Sequence, residues 1–183
     1  ENNFERKNLK RLGEAFKKSK YSKSSSKFQH NLIIAGKHFP VIENRLSKIP
    51  GIYFLDWIPN DDLLQLIQGA DAFLLPSIHE GFGMPLVEAM ACGIPSITMN
   101  NHAPPEVVGD SGLLVDSHSI DDITMKMIEI NQDDMLSLLS EQAILLSKKY
   151  SWERHATEVF SLYSKSTIPN PNWNFDESYD VAA

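Results

Sequence analysis

Apolar positions recur at two spacings along this chain, and the two alternate. Leu9, Leu12 and Phe16 fall at helical intervals among lysines and arginines, which predicts an amphipathic helix over 8–19. A Ser- and Lys-rich stretch, 21–27, reads as a loop. Short apolar runs at 32–35 and 52–55 have the length of buried strands. Asn60 is placed to cap a helix over 61–68, with Asp61 and Asp62 in its first turn and Gly69 as its stop. A third strand is predicted at 72–75, followed by a short apolar helix over 85–91 with Pro85 suited to its first position. Strands at 95–99 and 113–115 come next. Then follow a helix marked by Ile120, Ile123, Met127 and Ile130, and another over 135–148. Ser151 is placed to cap a last helix carrying Trp152, Ala156, Val159, Phe160 and Tyr163 on one face. From Pro169 onward the chain is rich in Pro, Asn and Asp and reads as irregular.

Strands alternating with helices predict an α/β fold with a Rossmann-like, doubly wound parallel sheet. The predicted boundaries are one domain over 1–166 and a tail over 167–183. Ligands of such sheets sit at the carboxyl ends of the strands. The loops after Ala35, Leu55, Leu75 and Met99 are therefore the ones to read for function.

Composition narrows the choice. A hydrophobic fraction of 42% over 183 residues sustains a real core. A net charge of −7 argues against nucleic acid or an anionic membrane as the main partner, so a phosphate-bearing ligand requires a locally basic site. One cysteine, Cys92, excludes an internal disulfide framework and suits a reducing, cytoplasmic compartment. No apolar run approaches the roughly 20 residues of a membrane helix, and no signal-peptide pattern opens the chain. Because it starts at Glu1 rather than Met, the chain reads as a piece of something longer.

The loop after the third strand reads Pro76-Ser77-Ile78-His79-Glu80-Gly81-Phe82-Gly83-Met84-Pro85 and runs straight into a helix. Gly81 and Gly83 let backbone N–H groups approach a ligand closely. The helix start adds N–H donors and a positive dipole end, which suits a diphosphate or a sugar hydroxyl. A lone G-x-G is more often just a tight turn. Glu88 adds weight: it is the one charged residue in an apolar helix, and a buried carboxylate needs a partner. The plainer role for it is to complement the dipole in the first turn. His79 adjoins the loop as a spacer or a sugar contact, and His30, His38 and His155 read as surface or loop residues.

Glu80-Gly-Phe-Gly-Met-Pro-Leu-Val-Glu88 resembles the E-x7-E motif of retaining GT-B glycosyltransferases of family 4, the group 1 glycosyltransferases. The likeness continues through Asp71-Ala-Phe-Leu-Leu-Pro-Ser77, Glu88-Ala-Met-Ala-Cys-Gly-Ile-Pro95, Pro105-Glu-Val-Val-Gly-Asp-Ser-Gly-Leu-Leu-Val-Asp116 and Ser151-Trp152. Phe4-Glu-Arg-Lys-Asn-Leu9 resembles the R-K-N-L variant frequent in mannosyltransferase-like members. The resemblance spans about residues 4–165.

It implies a role for each matching position. Lys7, with Arg6 helping, meets the donor pyrophosphate. Glu88 holds the ribose hydroxyls, and Glu80 is the catalytic acid beside the transferred sugar. The amides of Gly81, Phe82, Gly83 and Met84 meet sugar hydroxyls or phosphate. The loop of Asp56, Trp57 and Ile58 borders the base, and Glu106 is structural. The implied donor is a nucleoside-diphosphate sugar and the implied acceptor a glycan or lipid-linked chain. The implied reaction is hexosyl transfer with retention, as in polysaccharide biosynthesis. No cofactor, no metal and no nucleic acid are implied, because fixed amides, a helix start and Lys7 can stabilise the charge that develops on the leaving group.

The resemblance also implies an amino-terminal GT-B domain that these residues do not include. That domain would complete the cleft and carry any peripheral association with the inner face of a membrane. The isolated chain is therefore expected to be incomplete and inactive. The family's first strand would precede Phe4, so the strands at 32–35 and 72–75 are expected not to pair. The competing function is a non-catalytic nucleotide-sugar-binding or interaction module of the same fold. A nucleotide-sugar epimerase or a phosphorylase fits the order of the motifs less well.

Overall fold

The structure, a computed structural model, describes residues 3–22, 29–37 and 40–165. The described helices are α1 (Asn3–Arg6), α2 (Leu9–Lys20), α3 (Pro40–Leu46), α4 (Asn60–Gln68), α5 (Met84–Ala91), α6 (Pro104–Val108), α7 (Ile120–Glu129), α8 (Asp133–Ser147) and α9 (Trp152–Lys165). The described strands are β1 (Leu32–Ala35), β2 (Ile52–Leu55), β3 (Phe73–Leu75), β4 (Ser96–Met99) and β5 (Gly112–Val115). The chain divides into two compact units, Glu1–Lys149 and Tyr150–Ala183. In the second, the Ser151 hydroxyl accepts from the Arg154 amide at 3.1 Å and caps α9 as expected. Most of the predicted loop at 21–27, His38 and the tail 167–183 lie outside the described residues.

In the first unit every strand pairing is parallel. β1 pairs with β2 in the register Leu32↔Ile52 to Ala35↔Leu55. β4 lies between β3 and β5, with Ile97 opposite Leu74 on one side and Leu113 on the other. The described strands thus form two sheets, and β1 does not hydrogen-bond to β3, as expected. One hydrophobic core serves both: Leu32, Ile34 and Ile52 share a cluster with Ile97 and Val115. Leu12 and Phe16 of α2, Leu46 of α3, and Ile123 and Met127 of α7 close over it. Gly13 lets α2 approach α3, since a Cβ there would stand 2.5 Å from Leu46 Cδ2.

Two expectations change. Asn60 is the first residue of α4 rather than its cap; extended Pro59 holds that place, and no side chain caps the helix. Its two aspartates still fall in the first turn. Gly69 ends α4 as expected, with φ −88° and its amide donating to the Gln65 carbonyl at 3.0 Å. β1 is buried only on alternate residues, and Ile33 is 45% exposed.

The end of α5 shows how sequence fixes geometry. Gly93 has φ +74°. Its amide donates to the Met90 carbonyl at 3.0 Å, and the Ile94 amide reaches back to the Ala89 carbonyl at 2.9 Å. That pairing of a left-handed glycine with a following apolar residue is a Schellman stop. Ile94 and Ala89 then pack together with Ile67. Cys-Gly-Ile-Pro therefore turns the chain from α5 into β4 over four residues.

Candidate functional site

The site forms where the α1–α2 turn meets the loop between β3 and α5. Arg6 and Lys7 are far from Glu80 in sequence and adjacent to it in space. Lys7 Nζ donates to Glu80 Oε1 at 2.7 Å and Arg6 Nη1 to Glu80 Oε2 at 2.8 Å. Ser77 Oγ donates to Glu80 Oε1 at 2.8 Å. Two further contacts fasten the turn: Ile78 N to the Arg6 carbonyl at 2.8 Å, and Arg6 Nη1 to the His79 carbonyl at 3.2 Å. Glu80 is 8% exposed. Burial pushes its carboxyl up, but the bonds from Lys7 and Ser77 and the charges of Lys7 and Arg6 outweigh that, and it lies below the ordinary glutamate value. Glu80 is therefore ionised at neutral pH.

The loop has two unlike glycines. Gly83 caps α5 in the left-handed region, φ 93° and ψ 52°, and a Cβ there would stand 2.8 Å from Leu86 Cδ1. Gly81 has an ordinary φ and open space around its α-carbon. Gly83 thus serves the backbone, whereas Gly81 leaves room above the loop. The helix start offers fewer donors than its position suggests. Pro85 has no N–H, and the Leu86 amide already donates to the Gly83 carbonyl at 2.8 Å. Phe82 and Met84 are each 40% exposed beside it.

Glu88 differs from its expectation. It lies on the exposed side of α5, so its carboxylate stays solvated and folding does not oblige it to find a partner. α5 presents Leu86, Ala89 and Met90 inward, and Glu88 falls on the other face. One turn on, burial and the charge of Glu88 push the Cys92 thiol up, which leaves it protonated and a poor nucleophile at neutral pH. His79 stacks edge-on against His102 with centroids 4.3 Å apart. Glu106 is exposed on α6, and Trp57 is 75% exposed after β2. His30 has Nδ1 3.1 Å from Asp71 Oδ2 and Nε2 bonded to Asn131.

A cavity of about 690 Å³ opens between β1 and β3. Its walls are mainly apolar, from residues such as Leu12, Phe16 and Ile97, and Lys7, Lys37, Pro85 and Glu88 also line it. Asp56, Trp57 and Ile58 are not among its lining residues. The sequence reading missed Asn8 and Ser117. Asn8 is buried, and its amide donates to the carbonyls of Pro76 and Ser117. Its position in a basic turn gives no sign of this, because the partners are known only once the loops have met.

Strand–loop–helix order and parallel pairing throughout define a Rossmann-like α/β domain, with a basic turn facing an acid-glycine loop at one strand end. Residues 2–146 match the family of glycosyl transferases group 1, and the chain belongs to it. It is 37% identical over 113 residues to the O-antigen chain mannosyltransferase B of Escherichia coli, covering 61% of this chain and 30% of that protein. It is 33% identical over 143 residues to an uncharacterized glycosyltransferase of Methanocaldococcus jannaschii, covering 75% of this chain and 41% of that one. The chain thus spans well under half the length of these relatives. Among solved structures, WaaG, a glycosyltransferase involved in lipopolysaccharide biosynthesis, superposes with a TM-score of 0.70 at 20% identity. That match covers 88% of this chain and 45% of WaaG. Anabaena HepE in complex with UDP and glucose gives 0.71 at 20%, over 87% and 45%. These likenesses establish the fold, a Rossmann-like α/β domain of the kind found in GT-B structures.

Proposed function

We propose that this chain is the donor-binding part of a retaining glycosyltransferase that moves a hexosyl group from a nucleoside-diphosphate sugar to a glycan or lipid-linked acceptor. The observation that carries the reading is the convergence of Arg6 and Lys7 on Glu80 beside the Gly81–Met84 loop. In a chain of net charge −7, two cations held at one loop mark a place for an anion. An ammonium has three donors. Lys7 can thus keep its bond to Glu80 and turn its other protons to a phosphate, so that one residue neutralises the acid and the leaving group together. The Gly81, Phe82, Gly83 and Met84 amides are then the contacts for sugar hydroxyls or phosphate. Glu88, solvated at the cavity wall, accepts from the ribose hydroxyls. Mannose is the favoured sugar, because the O-antigen relative is a mannosyltransferase. Polysaccharide synthesis in the cytoplasm, at the inner face of a membrane, is the favoured setting.

The test is calorimetric titration of the chain with GDP, UDP and ADP and with the matching nucleosides. The expected result is that one diphosphate binds and that its nucleoside binds far more weakly. Equal affinity for nucleoside and diphosphate across all three pairs rejects the reading.

A further inference from the structure

We infer that Asn8 is a positioning residue, whose side-chain amide locks the Arg6–Lys7 turn onto two loops and so sets where Lys7 meets a phosphate. The phosphate part of this rests on the donor-binding reading above. Asn8 has a left-handed backbone, φ 59° and ψ 28°, between α1 and α2. Asparagine tolerates that region better than other residues with a side chain. The residue is 3% exposed, so each of its polar atoms needs a partner.

Each has one. The side-chain NH2 has two protons, and Nδ2 donates to Pro76 O at 2.9 Å and to Ser117 O at 2.7 Å. Oδ1 accepts from Arg11 Nη1 at 3.1 Å, which fixes which end of the amide faces the carbonyls. The backbone N–H donates to Glu5 O, and the backbone carbonyl accepts from Leu12 N, both at 3.1 Å. The carbonyls that Nδ2 grips lie just after β3 and just after β5. One side chain therefore ties the basic turn to both.

The same bonds reach Glu80 from the other side. Ser117 Oγ donates to Ser77 O at 2.7 Å, and Ser77 Oγ donates to Glu80 Oε1 at 2.8 Å. Lys7, Asn8, Ser117, Ser77 and Glu80 thus form a closed ring, in which Asn8 holds the cation's end and Ser77 the acid's. Asn8 itself is turned to the loop carbonyls and acts through Lys7. Other residues meet only part of the requirement. Glycine accepts the backbone but supplies no donor. Aspartate keeps the shape but sets carboxylate oxygens against two carbonyls.

The experiment compares the chain with Asn8→Gly, using Lys7→Ala as the reference, after thermal melting has confirmed that each folds. The first readout needs no ligand: the carboxyl carbon of Glu80 is titrated by NMR. In Asn8→Gly the midpoint should move up, in the direction seen for Lys7→Ala. An unchanged midpoint in Asn8→Gly beside a moved one in Lys7→Ala overturns the inference. The second readout is binding: Asn8→Gly should weaken the nucleoside diphosphate roughly tenfold and leave the nucleoside within about twofold, as expected for loss of one charge-assisted contact. Equal weakening of both overturns the positioning role. If the unaltered chain binds no diphosphate, the donor-binding reading fails, and the Glu80 titration alone decides for or against Asn8. Should Asn8→Gly not fold, exchange of the Asn8 side-chain amide protons in the unaltered chain decides. Slow exchange supports the lock, and exchange as fast as in free asparagine overturns it.

Discussion

Lys7 Nζ lies 2.7 Å from Glu80 Oε1 across a sequence separation of 73 residues. The bond joins a turn at the start of the chain to a loop near its middle. It places a cation and an acid at the mouth of one strand. Most of what the site does should respond to these two residues.

Acid should expose the pairing first. The Glu80 carboxyl is depressed in the folded chain relative to its usual value of 4.5. A depressed acid contributes stability that is fully present above its unfolded pKa and is lost as pH falls through its folded pKa. Urea midpoints should therefore decline as pH drops below about 4.5. Glu80→Gln should lower the midpoint at neutral pH and flatten that part of the profile. Parallel profiles for the two proteins would show that the pairing contributes nothing to folding.

Lys7→Ala should weaken a nucleoside diphosphate far more than its nucleoside. A hydrogen bond to a charged group contributes about 1.5–3 kcal/mol, so the loss should be roughly tenfold or more. Calorimetry with both ligands checks this, and equal losses would contradict the assignment of Lys7 to phosphate.

The two glutamates should separate. Glu88→Ala should weaken both nucleoside and diphosphate, because its carboxylate is assigned to the ribose. Glu80→Ala should leave diphosphate binding nearly intact and lower the rate of sugar transfer in the polypeptide that carries this chain, since its contacts matter where charge develops. Titrations beside steady-state kinetics give the answer. A Glu80→Ala chain that binds no diphosphate, beside a normal Glu88→Ala, reverses the roles.

The two loop glycines should fail differently. Gly81→Ala adds a methyl to open space, so its melting temperature should stay close to that of the parent while ligand affinity falls. Gly83→Ala combines a left-handed backbone with a contact to buried Leu86, and should cost about 1–3 kcal/mol of stability. Thermal melts of both variants, with diphosphate titration of the first, test the contrast.

Much of the fold was legible because its signals are local. Each predicted strand is present within a residue, since a short apolar run between turns has few other uses. The α2 face was read from Leu9, Leu12 and Phe16 alone, and α5 and α7 likewise. Helices α1, α3 and α6 were not foreseen: each has at most seven residues, too few for a periodic pattern. At the candidate site, Arg6, Lys7, Glu80 and Glu88 were named through the resemblance of their motifs, and the structure brings Arg6 and Lys7 onto Glu80. The exposure of Glu88 was not legible, because a carboxylate among apolar neighbours reads as buried until the helix is turned to show its outward face. Asn8 was illegible for another reason. The long-range partners of its side chain are backbone carbonyls, which carry no residue-specific mark in the sequence.

The split between β1 and β3 bears on how this chain behaves among copies of itself. In a parallel sheet an inner edge is normally occupied on both sides. Here β1 and β3 each hydrogen-bond to one described neighbour, and the space between them is lined with Leu, Ile and Phe. Among the described residues no strand pairs with the facing edges of β1 and β3, and a strand edge beside apolar side chains is a template for any extended segment that arrives. Crowding, slow refolding or concentration would bring such segments from other molecules. A polypeptide that supplies a strand to that gap should therefore associate less on concentration than these residues alone.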